Sequence, residues 1–335
     1  MNGPLISLCG TMYNNAKTID SCIEGLSTAL RGLNYEIVIV DNFSSDGSFE
    51  RLTNFAQRLP VKLYRHRCLR GVGKTMAFRR SKGDFIVTID LDTSYNPRVL
   101  RTVIKEYLQS KYNDKVVIWP SCFSTPQSEG TDIYPRNILT RFGGWRDLNR
   151  AEDNDLLAKL CAENLVLSLP VEGAVNESVG LPNARFVTFF RESRYAKGLV
   201  KQLIRLFRSD RDTVFGNALT VRKTIVLSRD INHASVLRTA FMCLNTAFFG
   251  AVCKASGMEF NSADRNLSNG VYILYKKLVN VIDPREFNLK SEDIIECDVT
   301  SSPMLHYLNQ TYPEVAESIV RIQQWKHGNT KNDHG

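Results

Sequence analysis

Five short runs that read as β-strands, at residues 5–13, 35–42, 61–67, 84–92 and 115–121, recur through the first part of this chain. Stretches of helical periodicity separate them. Ile19, Cys22, Ile23, Leu26 and Leu30 mark one apolar helical face, and Val99, Leu100, Val103, Ile104, Tyr107 and Leu108 mark another. Ser45 and Asp46 stand where they could cap a helix running through Leu59, and the GVGKT stretch at 71–75 opens a third helix. YEIVIVDN, at 35–42, is almost continuously apolar and β-branched, as a strand covered on both faces must be. Repeated strand–helix alternation predicts an α/β fold with an open, mainly parallel sheet flanked by helices. Ligands of such sheets bind beyond the carboxyl ends of the strands. Here that rule gathers residues 11–15, 41–46 and 90–93 around one crevice.

Charge narrows the ligand. The chain carries a formal charge of +8, concentrated in two places. Residues 61–83 hold eight Lys or Arg and no acid, and residues 191–211 hold seven basic against two acidic residues. Such local clusters point to anionic partners at defined places. No nucleic-acid motif accompanies them, and a nucleic acid is not an expected partner. The eight cysteines include no C-x-x-C pair, which predicts reduced thiols and no zinc site. MNGPLISLCG has neither a basic n-region nor a long apolar core, so no secretory signal is read there and a cytoplasmic location is expected.

The basic stretch contains Gly73-Lys74-Thr75, the ending of a phosphate-binding G-x-x-x-x-G-K-[ST] loop. The first glycine of that pattern belongs at position 68, where Cys68 stands. The acidic strand end at Asp90 also arrives only sixteen residues after Lys74. A nucleotide triphosphatase reading therefore fails on both spacing and context. Asp90 and Asp92 instead form a D-x-D at the end of a strand, where two carboxylates two residues apart can converge on one ion. Oxygen-only ligands favour Mg²⁺ or Mn²⁺ with positions left open for a diphosphate. An aspartate at a strand end also commonly caps the next turn, so the pair alone leaves both readings open.

Several motifs in order resemble the family-2 glycosyltransferases of the GT-A fold, from about Leu5 to about Pro170. Thr11-Met12-Tyr13-Asn14-Asn15 stands where that family has P-x-Y-N-E. Residues 40–48, VDNFSSDGS, parallel V-D-D-G-S-x-D-G-T. Residues 71–97 are similar to dolichol-phosphate mannose synthases, with the aspartate pair and Pro97 at the same spacing. Gly143-Gly144-Trp145 followed by Glu152-Asp153-Asn154-Asp155-Leu156 resembles the G-G-(aromatic)…E-D-x-D-L acceptor segment.

The resemblance implies a metal-dependent inverting transferase that moves a sugar from a UDP- or GDP-linked donor to a hydroxyl acceptor, a glycan or a lipid-linked saccharide. It implies that Thr11, Tyr13, Asn15, Asp41 and Lys74 line the donor site, that Asp90 meets ribose or metal-bound phosphate, and that Asp92 coordinates Mg²⁺ or Mn²⁺. Asp153 would be the general base, with Glu152 sharing or supporting that role. The same two acids would also suit the first turn of a helix over 155–165. Asn15 replaces the family's Glu and Asn42 its second Asp, so base and sugar preference do not carry over. A polyprenyl-phosphate acceptor and an inactive GT-A-fold scaffold are the alternatives.

Residues 1–211 are expected to form the catalytic domain, with a nucleotide-sugar part to about 95 and an acceptor part after it; residues 212–335 read as a largely helical extension. Within 194–211, Leu199, Val200, Leu203, Ile204 and Phe207 form an apolar stripe among basic residues, suited to an anionic membrane surface or to packing on the domain. That places the expected location at the cytosolic face of a membrane. Gln202-Leu203-Ile204-Arg205-Leu206 resembles the family's Q-x-x-R-W segment without its Trp and makes Arg205 a donor-site candidate. The apolar run 239–253 is too short to span a bilayer, and the polar tail 323–335 is expected to fray.

Overall fold

The computed structural model describes residues 3–120, 128–147, 152–177, 280–295, 309–310 and 313–328. Its elements begin with β1 (Ile6–Met12), α1 (Ile19–Leu30), β2 (Tyr35–Asp41), α2 (Ser48–Ala56), β3 (Val61–Arg65), α3 (Arg70–Arg80), β4 (Phe85–Asp90), β5 (Thr93–Tyr95) and α4 (Pro97–Gln109). β6 (Val116–Pro120), β7 (Ser128–Pro135), α5 (Arg136–Phe142), α6 (Glu152–Ala162), β8 (Val166–Ser168) and β9 (Ala174–Asn176) follow, and α7 (Pro313–Gly328) lies near the end. Seven strands form one sheet in the order β3-β2-β1-β4-β7-β6-β8, and β5 pairs with β9 alone. β3, β2, β1 and β4 run parallel; β7 is antiparallel to both β4 and β6, and β8 is parallel to β6. This is the GT-A-type arrangement expected, a mainly parallel sheet flanked by helices.

The apolar runs of β1, β2 and β4 are continuous because these strands are buried on both faces. Ile37 and Ile39 of β2 join α1 and α4 in one core, while Val38 and Val40 join α3 and α6 in the other. β4 divides in the same way, Val87 and Ile89 to the first core and Ile86 to the second. At roughly 1.5–3 kcal/mol for each buried Val, Leu or Ile, this two-sided burial drives the fold.

Local signals set most boundaries. Asn96 caps α4, its side chain accepting from the backbone N–H of Arg98 and Val99 at 3.1 and 3.3 Å, with Pro97 as the first helical residue. α2 differs from expectation. Gly47, at φ 91°, takes the cap position, and the helix ends at Ala56 instead of Leu59. Asp46 accepts from the Ser48 N–H at 3.1 Å and from the Ala16 N–H at 2.9 Å, lacing the loop after β2 to the loop after β1. α6 begins at Glu152, three residues before the expected 155, so both acids lie in its first turn.

Residues 280–295, in the region read as helical, form two 3₁₀ turns joined by irregular backbone (Pro284–Phe287 and Ser291–Asp293). They bridge to the sheet domain at Ser168–Val281 and Val171–Ile294, and Ile282, Phe287 and Leu289 enter the same core as α1 and α4. The Arg98 guanidinium donates to both oxygens of Asp293, one bond at 2.9 Å, fastening this segment to α4. α7 continues through the polar stretch to Gly328 and buries Ala316, Ile319 and Ile322. Residues 194–211, with Arg205, and the apolar run 239–253 lie outside the described residues. Among the described residues no helix is long and apolar enough to cross a membrane.

Candidate active site

Sheet register brings the expected strand ends together. Thr11 pairs with Asp90, and Met12 with Asp41, so β1, β2 and β4 end at one level. Asn14 and Asn15 bind the neighbouring loop: the Asn14 N–H donates to Ser44 Oγ at 3.0 Å, Asn14 Oδ1 accepts from the Ser45 N–H at 2.9 Å, and the Asn15 N–H donates to Ser48 Oγ at 2.8 Å. Asn15 Oδ1 accepts from the Tyr13 N–H at 3.0 Å. Asn15 thus shapes the loop that carries Tyr13, whose ring is 60% exposed. Beside it Phe43 is 46% exposed at φ 56°, with the Arg65 and Arg67 guanidiniums 5.4 and 5.3 Å from its ring centre. Sequence reading missed this aromatic rim, although Phe43 breaks the family pattern at a position usually held by glycine.

Two expected donor contacts are turned inward. Asp41 is fully buried; its Oδ1 accepts from the N–H and Oγ of Ser44 at 3.0 and 2.6 Å, and its Oδ2 from Arg65 Nε at 2.8 Å. All of its hydrogen bonds thus serve the exit turn of β2, and none is left to face the crevice. Lys74 is 1% exposed, and its ammonium lies 2.6 Å from Asp153 Oδ2 and 3.3 Å from Glu152 Oε1. Its charge is met by these two neighbouring acids.

The Gly73-Lys74-Thr75 stretch therefore clamps three elements to α3. Gly73 packs so closely on β1 that a Cβ there would stand 2.5 Å from Thr11 Cγ2. Thr75 Oγ1 donates to the Trp145 carbonyl at 2.7 Å and accepts from the Trp145 N–H at 2.8 Å. Gly144, at φ 81°, allows this approach, since a Cβ would come within 2.9 Å of Thr75 Oγ1. Trp145 then donates from Nε1 to Asp153 Oδ1 at 2.8 Å. Each Asp153 oxygen has one donor, and the side chain retains 21% exposure.

Glu152 differs. It is 2% exposed, and its Oε1 has no hydrogen bond despite the nearby ammonium. Burial raises both carboxyls. At Asp153 this is overcome by the Lys74 charge and bond, the Arg70 charge and the Trp145 bond, which hold it below the usual carboxylate range. At Glu152 burial and the adjacent Asp153 charge prevail over Lys74 and Arg70 and hold it above. Of the two acids, Asp153 is thus the more exposed and the one held anionic, while Glu152 is sealed beneath it.

Asp90 and Asp92 are half-buried, and neither carboxylate has a hydrogen-bond or ion-pair partner among the described residues. Burial raises Asp90, opposed by the charges of Lys74 and Arg70. The Arg70 side chain is 45% exposed, its Nε lies 3.8 Å from Glu152 Oε1, and it feels Asp90, Glu152, Asp153 and Asp92 together. The sequence had grouped it only among basic neighbours. These four carboxylates against Arg70 and Lys74 leave two negative charges uncompensated when all are ionised. Two free oxygen ligands and that imbalance fit a divalent cation completed by substrate phosphates. Among the described residues, no cluster of three or more His, Cys, Asp or Glu is placed to hold a metal.

A dolichol-phosphate mannosyltransferase of Pyrococcus furiosus is 29% identical over 126 residues, 34% of this chain and 36% of the relative. An undecaprenyl-phosphate 4-deoxy-4-formamido-L-arabinose transferase of Aeromonas hydrophila is 27% identical over 111 residues, 31% and 34% of the two chains. The chain thus spans only about a third of the length of these relatives. Among solved structures, the mannosyltransferase PcManGT from Pyrobaculum calidifontis, in complex with GDP-Man and Mn²⁺, aligns at TM-score 0.49 and 15% identity, over 83% of this chain and 87% of the other. S. aureus TarS aligns at TM-score 0.42 and 15% identity, over 98% and 92%. The family model for glycosyl transferase family 2 matches residues 7–164. That match covers nearly half of the chain's 335 residues.

Proposed function

We propose that the protein transfers a sugar from a nucleoside-diphosphate sugar to an acceptor hydroxyl with inversion, using a divalent cation. The observation that carries this reading is the pairing of two carboxylates without a partner among the described residues, Asp90 and Asp92, with an oriented one, Asp153, around the same Arg70. Asp92 and Asp90 would hold Mg²⁺ or Mn²⁺, which when bound supplies Lewis-acid stabilisation of the departing diphosphate. Arg70 adds a fixed positive charge beside that group. Tyr13 and Phe43 offer flat exposed faces to the base, and Thr11 lies at the crevice floor.

Asp153 accepts the acceptor hydroxyl's proton. Each of its oxygens keeps a lone pair beyond those used by Lys74 and Trp145. The acceptor oxygen forms the new bond to the anomeric carbon as the bond to the diphosphate breaks on the opposite face, and the electron pair leaves with the diphosphate.

A second reading has a specific support: the two relatives above are named for dolichol-phosphate and undecaprenyl-phosphate chemistry. A lipid phosphate is already an anion and needs no base. Asp153→Asn separates the two, abolishing transfer to a hydroxyl and sparing transfer to a phosphate. The donor site is tested by calorimetric titration of UDP and GDP, with and without Mn²⁺, on the wild type and Asp92→Ala. Metal-dependent binding of one nucleotide, lost in the variant, is the expected result; no binding of either nucleotide with metal present would sink the proposal.

A further inference from the structure

Lys74 is the only lysine buried among the described residues, and it lies between two carboxylates that are adjacent in the chain. Two like charges side by side in a dry environment are costly unless a counter-charge sits between them. The ammonium is shared unequally: Asp153 receives a hydrogen bond at 2.6 Å, Glu152 only a charge contact at 3.3 Å. The Trp145 indole holds the other Asp153 oxygen. Both Lys74 and the Thr75 hydroxyl that fixes Trp145 come from α3, one residue apart.

We propose that Lys74 is the positioning residue of the acceptor-side pair: its ammonium selects Asp153 over Glu152 as the standing anion and fixes its orientation before any substrate arrives. The proposal rests on Asp153 being the base, and it adds what makes Asp153 so. The groups facing Asp153 are Arg70 and Lys74 from α3, Asp90 from β4, Tyr134 from β7, Trp145, and Glu152 on its own helix. Of these, Lys74 alone combines an ion pair with a direct bond to the carboxylate. The phosphate-loop look of Gly73-Lys74-Thr75 thus hides a device for the opposite end of the reaction.

The test uses the ligand-free protein. The chain has three tryptophans, so ¹⁵N-indole labelling gives three cross-peaks, and Trp145→Phe identifies the one from Trp145. Because that indole donates to Asp153 Oδ1, its shift follows the protonation of Asp153. In Lys74→Met the titration midpoint is expected to rise by about 1–3 pH units, the usual effect of an opposite charge at this distance, with Lys74→Arg restoring most of the shift. Equal midpoints in wild type and Lys74→Met would overturn the proposal. Should Lys74→Met fail to fold, Glu152→Gln is compared with the Lys74→Met/Glu152→Gln double variant, which removes one charge of each sign. The double variant is expected to titrate higher, and equal midpoints again refute the proposal. Turnover with Mn²⁺ and the donor picked by calorimetry separates the two layers. An acid limb of kcat/KM that moves with the indole midpoint supports both; an indole midpoint that moves alone leaves Lys74's hold on Asp153 standing and overturns Asp153 as the base.

Discussion

The molecule holds two pairs of neighbouring acids around Arg70, and it treats them in opposite ways. Asp90 and Asp92, at the end of β4, have no partner from the described chain, whereas Asp153 is gripped from both sides and Glu152 is sealed beneath it. A carboxylate pair without a partner is stable only at a partly solvated strand end, where an external cation can complete it. A sealed pair needs an internal cation, and Lys74 is that cation. One pair stays open among the described residues, the other is closed by the chain's own lysine.

The sharpest way to break this contrast is to remove the internal cation. Lys74→Met leaves buried charge uncompensated, and unfolding free energy measured in urea is expected to fall by about 3–5 kcal/mol. The free pair predicts the reverse pattern. Asp92→Ala removes one of two repelling charges, so its unfolding midpoint should equal or exceed that of the wild type. Its Mn²⁺-dependent nucleotide affinity should drop by about 100-fold, roughly 2.8 kcal/mol. An Asp92→Ala protein that unfolds more easily than Lys74→Met would erase the distinction between the pairs.

A smaller effect tests the arm that orients Asp153. Thr75→Val keeps the volume but strips both bonds from the backbone of buried Trp145, at a cost of about 1–3 kcal/mol. The Trp145 indole cross-peak should broaden or move while those of Trp119 and Trp325 stay in place. An unchanged Trp145 peak would mean that the indole is held by its own packing, including the edge-to-face contact with Tyr134 at 5.5 Å.

These contrasts mark what was legible in the sequence. The strands were, because burial on both faces leaves an unbroken β-branched run such as Ile37–Val40 that little else explains. So was the position of the aspartate pair at the end of β4, which follows from where that apolar run stops. The direction of Lys74 was not. Its immediate neighbours suggested phosphate, and the acids it serves lie 78 and 79 residues further on. Asp41 misled for a similar reason: the motif around it is that of a donor site, while its partner Arg65 comes from the next strand. Residues 280–295 escaped because an irregular segment has no period, and its place was set by contacts such as Val281 with Ser168, far back in the chain.

That segment supplies the mildest comparison, a clamped carboxylate away from the crevice. Asp293 is 3% exposed and is bound by Arg98 and by the Lys290 N–H. Burial alone would raise its carboxyl, but the Arg98 bond, the Lys290 N–H and both cationic charges bring it below the usual range. A depressed folded-state value means that Asp293 contributes stability in full above the unfolded-state value of about 3.9, and that this is lost as pH falls through the lower folded-state value. Asp293→Asn should therefore cost about 1 kcal/mol at pH 7, a modest figure because Arg98 is 46% exposed and screened. The gap between variant and wild type in urea midpoint should stay level down to about pH 5 and close below pH 4. Nucleotide affinity should not change at any pH. A gap that persists at pH 3 would mean that Asp293 acts through packing of the 280–295 segment and not through its charge. A loss of nucleotide affinity would mean that this clamp reaches the crevice after all, and that the two acid pairs there depend on how the C-terminal segment is fastened to α4.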